Sequence, residues 1–326
     1  MRRITAALLI GAGGGIVAFA TALCHGQAYP SKPVRLIVPN APGGGSDLVG
    51  RLVAEKLSRA LGQQVVVENR AGAGGQLAAE FVARSAPDGY TLLLGTTSTL
   101  ITAPALYPKI GYNPTVDYAP ISAVASTTYL LVIHPSVPAR SVKDLINAAK
   151  ARPGRLNYAS TGPGSPAHLA GELFNSMAGV NTVHIPYKGS SPGTLSVVQG
   201  ETDLMFGNIL PSIPLIQSNR LRPLGITSLK RSSLLPQLPT LDESGLRGFE
   251  VQQFYSVLAP AATSSDIIRR LNQEVNREMQ SAETKNRLAL EGSEVMVSTP
   301  EALERLIVSQ IAKWNAVIRQ AGIKPD

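Results

Sequence analysis

The chain has 326 residues, 44% of them hydrophobic and only 5% aromatic, with one cysteine and a formal net charge of +8. That length and hydrophobic content suffice for two packed domains and exclude a disordered chain, and the lone cysteine excludes an internal disulfide and a cysteine-built metal site. The 30 basic residues are scattered, with no basic stripe interleaved with stacking aromatics, which argues against nucleic-acid recognition.

Residues 1–28 read as an export signal: Arg2 and Arg3 form a basic start, an apolar Ala/Gly-rich run extends from Ile4 to Leu23, and Gly26-Gln27-Ala28 is a small-x-small cleavage site. A run of about 20 apolar residues is also long enough to span a bilayer, which is the competing reading. Cys24 invites a lipid-modified alternative, although Leu23 ahead of it is bulky for that processing, and the paired arginines fit twin-arginine export. Cleavage after Ala28 predicts a periplasmic protein without cysteine. Loss of Arg2 and Arg3 leaves 28 Lys+Arg against 22 Asp+Glu, a net +6 that suits an anionic ligand.

Beyond the signal, apolar β-branched runs predict strands at 34–38 and 65–67 with an amphipathic helix over 47–60 between them. A second helix follows Gly74-Gly75 through Phe81 and Val82, and "YTLLLGTTST" reads as a third strand. This βαβαβ opening predicts a mainly parallel sheet with helices on its faces. A second set starts near Tyr129: strand "YLLVIHP", a helix over 142–151, strand "LNYAS", a helix over 167–178, strand "VHIPYKG", a helix over 194–199, and strands "DLMFG" and "LRPLGIT". After "YSVLAP" come two long amphipathic helices, one carrying Ile267, Ile268, Leu271 and Val275, the other Leu303, Leu306, Ile307, Ile311 and Trp314. The latter starts at an N-cap Thr299 with Pro300 at its first position and stops at Gly322.

Two loops echo one another. "NAPGGGSD" and "STGPGSPAH" each leave an apolar strand and enter a helix, and "LGTTST" and "YKGSSPG" stand at comparable strand ends. Ligands of open α/β sheets bind outside the carboxyl ends of strands, where helix N-termini offer free N–H groups. Both loops therefore read as anion cradles facing one cleft, against the plainer reading of tight strand-to-helix turns.

Enzyme chemistries lose their essential parts. No G-x-x-x-x-G-K-[ST] is present, and "AGAGGQ" lacks dinucleotide spacing. "GSSPG", residues 189–193, matches G-x-S-x-G, but Pro192 after Ser191 has no N–H for an oxyanion hole. Histidines 25, 134, 168 and 184 all precede that serine, the reverse of the hydrolase order. No histidine pair has metal-ligand spacing. Neither a cofactor nor a metal is expected.

The segments "YPSKPVRLIVPNAPGGGSDLVGRLVAEKLSRALGQQVVVENRAGAGG", "PDGYTLLLGT", "LNYASTGPGSPAHLAGELF", "HIPYKGSSPGTLSVVQGETDLMFGN" and "LRPLGITSLKRSSLLPQLPTLDESGLRGFEV" resemble the substrate-binding receptors of tripartite tricarboxylate transporters, the Bug proteins, over essentially all of residues 29–326. The resemblance implies an α/β fold of the periplasmic binding protein type II class, with two lobes, each a mixed, mostly parallel sheet flanked by helices, and a hinge between them. It implies lobe 1 at 29–128 and 255–326, lobe 2 at 129–254, and a monomer that captures a small organic carboxylate and hands it to membrane permease subunits. Residue by residue, it places Gly43, Gly44, Gly45, Ser46 and Asp47 in the first ligand loop and Ser160, Thr161, Gly164, Ser165 and His168 in the second. Thr96, Ser98, Tyr187, Lys188 and Asn208 are further cleft candidates. Many relatives carry an acidic residue where Gly207 stands, so selectivity for an amino-acid ammonium group is not supported.

The residues agree with that picture. N–H groups of Gly44, Gly45 and Ser46 and the Ser46 hydroxyl suit a carboxylate without a charged clamp, each such bond contributing about 1.5–3 kcal/mol. The expectation at Gly44 is positive φ, so that Gly44→Val blocks the cradle; Ser165→Ala is expected to weaken binding less. Asp47 is expected to orient its own loop, His168 to orient the second loop or pack between lobes, Tyr187 to reach the ligand or line the wall, and Lys188 to meet an anion or stay solvated. Arg70 braces a turn. The competing class, a periplasmic enzyme or sensory module on the same fold, requires a reactive pair that the sequence does not display.

Overall fold

The computed structural model describes residues 29–107 and 109–323; the export signal read in residues 1–28 lies outside the described residues. The first unit is β1 (Val34–Val38), α1 (Gly45–Leu61), β2 (Val65–Asn69), α2 (Gln76–Ala83) and β3 (Thr91–Thr96). β1 lies between β2 and β3, parallel to both. α1 buries Val49, Leu52, Val53 and Leu57, a helical stripe against the sheet, and stops at Gly62, whose φ of 67° only glycine adopts readily. A wide turn over Ser98–Thr102 and a short helix α3 (Ala103–Leu106) lead onward.

β4 (Tyr118–Ile133) is the backbone of the molecule. The sequence pattern marks only its end, from Tyr129, because 118–128 is a run of small and hydroxyl residues with Pro120 and little aliphatic alternation. The next unit is α4 (Val142–Ala151), β5 (Asn157–Ser160), α5 (Pro166–Ala178), β6 (Val183–Pro186), α6 (Ser190–Gln199), β7 (Leu204–Asn208), α7 (Ile209–Gln217) and β8 (Arg222–Ile226). Here β5 lies between β6 and β7, parallel to both. The chain returns through β9 (Gln252–Pro260) and closes with α8 (Ser265–Met279), α9 (Ala282–Leu290), β10 (Ser293–Val295) and α10 (Pro300–Ala321).

The strand order β2-β1-β3-β9-β4-β7-β5-β6 joins two parallel triplets through the antiparallel β9 and β4. β4 changes partner part-way: Tyr118 to Thr128 pair with β9, whereas Tyr129 to Ile133 pair with β7 and Leu130 to Ile133 with β8. The two halves of this two-lobed α/β fold therefore share one strand. Leu36, Leu57, Leu271 and Val275 fill one core beneath α1 and α8, and Val132, Val197 and Met205 a smaller one beneath α6 and α7. The largest core, containing Phe174, Phe206 and the fully buried Trp314, extends across both lobes. α10 closes it by packing on α5 and on the Ser98–Thr102 turn.

α6 starts four residues earlier than its apolar pattern suggests, so "GSSPG" is a helix N-terminus. α7 escapes the pattern because Pro211 and Pro214 lower its helix propensity, and Pro214 stands inside the helix. α9 has only a weak apolar stripe, with Thr284 and Leu288 buried.

Candidate functional site

A cleft of about 370 Å³ opens at the carboxyl ends of β1, β3 and β7. The helices that begin on it lack side-chain caps. α4, α5, α8, α9 and α10 are each capped by a Ser or Thr hydroxyl, whereas α1 begins at Gly44 and α7 at Asn208 with no side-chain bond to the first turn. Gly45 and Ser46 of α1, and Ile209 and Leu210 of α7, line the cleft, so free backbone donors and two positive helix ends meet there.

The first loop is held from below. Asp47, only 3% exposed, accepts Gly43 N–H at 2.9 Å, Arg51 Nε at 2.9 Å and Asn69 Nδ2 at 3.0 Å. The Arg51 bond, joined by those from Gly43 and Asn69, holds its carboxyl below the usual range against the opposing effect of burial. Asp47 therefore orients the loop. The positive φ expected at Gly44 belongs instead to Gly43, at 86°; Gly44 is extended, with φ −88° and ψ 171°. The close approach is at Gly45, where a Cβ would stand 3.1 Å from Tyr255 Oη.

Tyr255 occupies the floor. It is 6% exposed, and burial raises its pKa against the opposing influence of the Thr127 and Ser46 hydroxyls, so it meets a ligand as a neutral hydroxyl. Tyr129, at the point where β4 changes partner, also lines the cleft, its pKa raised by burial and by Tyr255. Thr96 and Thr99 brace one another reciprocally: Thr96 N–H donates to Thr99 Oγ1 at 3.0 Å and Thr99 N–H to Thr96 Oγ1 at 3.2 Å. The Glu291-Gly292-Ser293 turn forms a further wall, fixed by β10 pairing with β4.

The second loop is braced from within its own lobe. Ser165 caps α5 by accepting His168 N–H at 3.3 Å, and His168 Nδ1 accepts Gly164 N–H at 3.0 Å. The His168 ring stacks on His184 with centroids 3.8 Å apart, and burial together with that neighbour pushes its pKa down to about 3. Ser160 Oγ lies 2.6 Å from His184 Nε2, a serine–histidine contact across 24 positions that the sequence does not show. Ser160 is fully buried, which leaves no approach for a substrate carbonyl. Tyr158 above this pair donates to Glu172 at 2.5 Å.

Of the expected site residues, Gly45, Ser46, Thr96, Ser98 and Asn208 line the cleft together. Gly43 and Gly44 are exposed on its shoulder, with Asp47 buried beneath. Ser160, Thr161, Gly164, Ser165, His168, Tyr187 and Lys188 are outside the lining; Tyr187 packs partly on the smaller core and Lys188 is exposed. Arg70 pairs with Glu68 at 2.6 Å and lies 3.6 Å over the Phe81 ring, bracing its turn. Sequence reasoning missed Thr127, Tyr129, Tyr255 and the 291–293 turn. The available signal was a tyrosine beginning each of two apolar runs, a residue type with an apolar body and a polar tip.

Among the described residues no three His, Cys, Asp or Glu side chains are placed to hold a metal ion, and no helix is long and apolar enough to cross a membrane.

A family model described as tripartite tricarboxylate transporter family receptor matches residues 49–323. Protein BugT of Bordetella pertussis (strain Tohama I) is 38% identical over 299 residues, covering 91% of this chain and 92% of that protein. A solved R. palustris protein with adipate is similar at TM-score 0.77 and 37% identity, over 91% of this chain and 100% of the other. MatC from Rhodopseudomonas palustris with bound malate is similar at TM-score 0.72 and 31% identity, over 89% and 100%.

Proposed function

The chain belongs to the tripartite tricarboxylate transporter receptor family, and on that premise we propose that it captures a small dicarboxylate between its lobes and presents it to membrane permease subunits. It is a solute-binding receptor rather than an enzyme. The observation that carries the ligand class is the convergence of the uncapped starts of α1 and α7 on one polar cleft. Backbone N–H groups and neutral hydroxyls recognise a carboxylate by charge-assisted bonds without a guanidinium. The adipate and malate in the two similar structures are of the same class.

In this reading the export signal of residues 1–28 is removed and the protein acts in the periplasm as a monomer. The lobes are 29–128 with 255–326, and 129–254. Gly44 to Ser46, Thr96, Ser98 and Asn208 receive one carboxylate, with Gly43 and Asp47 holding the loop beneath them. Bending of β4 near Thr128 and Tyr129 brings Ser160, Thr161, Gly164, Ser165, His168, Tyr187 and Lys188 towards the other side of the ligand. The partner change within β4 supports that axis.

Titration calorimetry of refolded, ligand-free protein tests the proposal, with succinate, malate, adipate, citrate and benzoate beside their amides. Acids are expected to bind, amides not, and each bound acid to be recovered unchanged. Binding of none of the acids, or recovery of a converted product, rejects it.

A further inference from the structure

A second cavity, of about 450 Å³, lies between α6 and α7, and Asn208 and Pro211 line both it and the carboxylate cleft. The two therefore adjoin at the start of α7. α6 has two faces of different use. Gly193, Ser196 and Val197 are buried against the sheet, while Ser191, Thr194, Leu195 and Val198, at i, i+3, i+4 and i+7, face the cavity. Leu195 is 50% exposed, so its side chain is not needed to fill the core. From α7, Pro211 and Leu215 supply the opposing apolar wall. Beyond the end of α7 stands Arg220, exposed, its guanidinium making no hydrogen bond or ion pair among the described residues.

We propose that this groove is the second compartment of the ligand site and that the protein takes extended-chain α,ω-dicarboxylates. One carboxylate sits at the uncapped start of α1, the hydrocarbon chain lies on Leu195, Val198, Pro211 and Leu215, and the distal carboxylate meets Arg220. This rests on the cleft being the carboxylate site. From Asn208 to Leu215, the stretch of this segment that lines the cavity, the helix rises about 10 Å, more than a four-carbon diacid spans.

Calorimetry with succinate, adipate, sebacate, dodecanedioate and the monoacid decanoate tests it on the full mature protein, on Leu195→Ser and on Arg220→Gln. Partial burial of each added methylene is expected to strengthen binding about twofold, so that sebacate exceeds succinate by at least about tenfold. Leu195→Ser is expected to shrink that preference several-fold with succinate affinity unchanged. Arg220→Gln is expected to weaken sebacate about tenfold and leave decanoate unaffected. If succinate binds but sebacate binds no tighter, or if the chain-length preference survives both substitutions, the second compartment is rejected while the cleft reading stands. If no acid of any length binds, both fall together.

Discussion

Gly43 and Gly45 are glycines for different reasons, and substitutions separate them. At Gly43 the backbone is left-handed with open space around it, so Gly43→Ala is expected to cost about 1 kcal/mol of stability through φ alone, read from denaturant melts. At Gly45 the φ is ordinary, but a methyl group meets Tyr255 Oη, so Gly45→Ala is expected to disturb the Ser46–Tyr255–Thr127 hydroxyls and lower ligand affinity more than stability. Gly44 has neither constraint. Tyr255→Phe keeps the buried ring and removes the donor; ligand affinity is expected to drop about tenfold, with a ligand-free melting point changed by little, as calorimetry beside thermal melts shows. His168 gives a pH dependence of definite sign. Its folded pKa of about 3 lies below the ordinary 6.5, so between those values the unfolded chain binds a proton that the folded one refuses. Its contribution is complete above about pH 6.5 and is lost as pH falls towards 3, with a slope of at most about 1.4 kcal/mol per unit. His168→Gln is expected to flatten the acid limb of stability between pH 4 and 6; an unchanged limb assigns the loss to other groups.

At the scale of elements, α5 shows how a residue expected at the ligand acts on the fold. Ser165 caps the helix, so Ser165→Ala is expected to cost about 1 kcal/mol in the ligand-free protein, a loss that a purely ligand-facing hydroxyl would not produce. On the same helix, a Cβ at Gly171 would overlap the buried Tyr158 ring at 2.2 Å. Gly171→Ala is expected to destabilise by about 1–3 kcal/mol or more, measured by urea unfolding. Helices with strong apolar periodicity and a recognisable cap, such as α8 and α10, were legible in the sequence. α7, interrupted by prolines, and the first eleven residues of β4, rich in Ala, Ser and Thr, were not, because their stability comes from partners rather than propensity.

At the scale of the whole molecule, Trp314 is the only tryptophan and is 2% exposed where α10 spans both lobes. Trp314→Ala is expected to remove about 3–5 kcal/mol, and emission of the native Trp314 reports global unfolding directly. Ligand at 100 times its dissociation constant is expected to add about 2.7 kcal/mol, seen as a rise of several degrees in the melting point of the mature protein. A ligand that gives no such rise at that concentration is not bound selectively by the folded protein. The sequence by itself determined the alternation of strands and helices, the family resemblance and the glycine loop at the mouth of the cleft, because periodicity, turn chemistry and local motifs are properties of neighbouring residues. Tertiary structure alone decided that Tyr255, Thr127 and the 291–293 turn meet Gly45 and Ser46, and that Ser160 and His184 touch. Those contacts join segments up to about two hundred and fifty residues apart through the register of β4 with β9 and β10 and of β5 with β6, and register leaves no local signature.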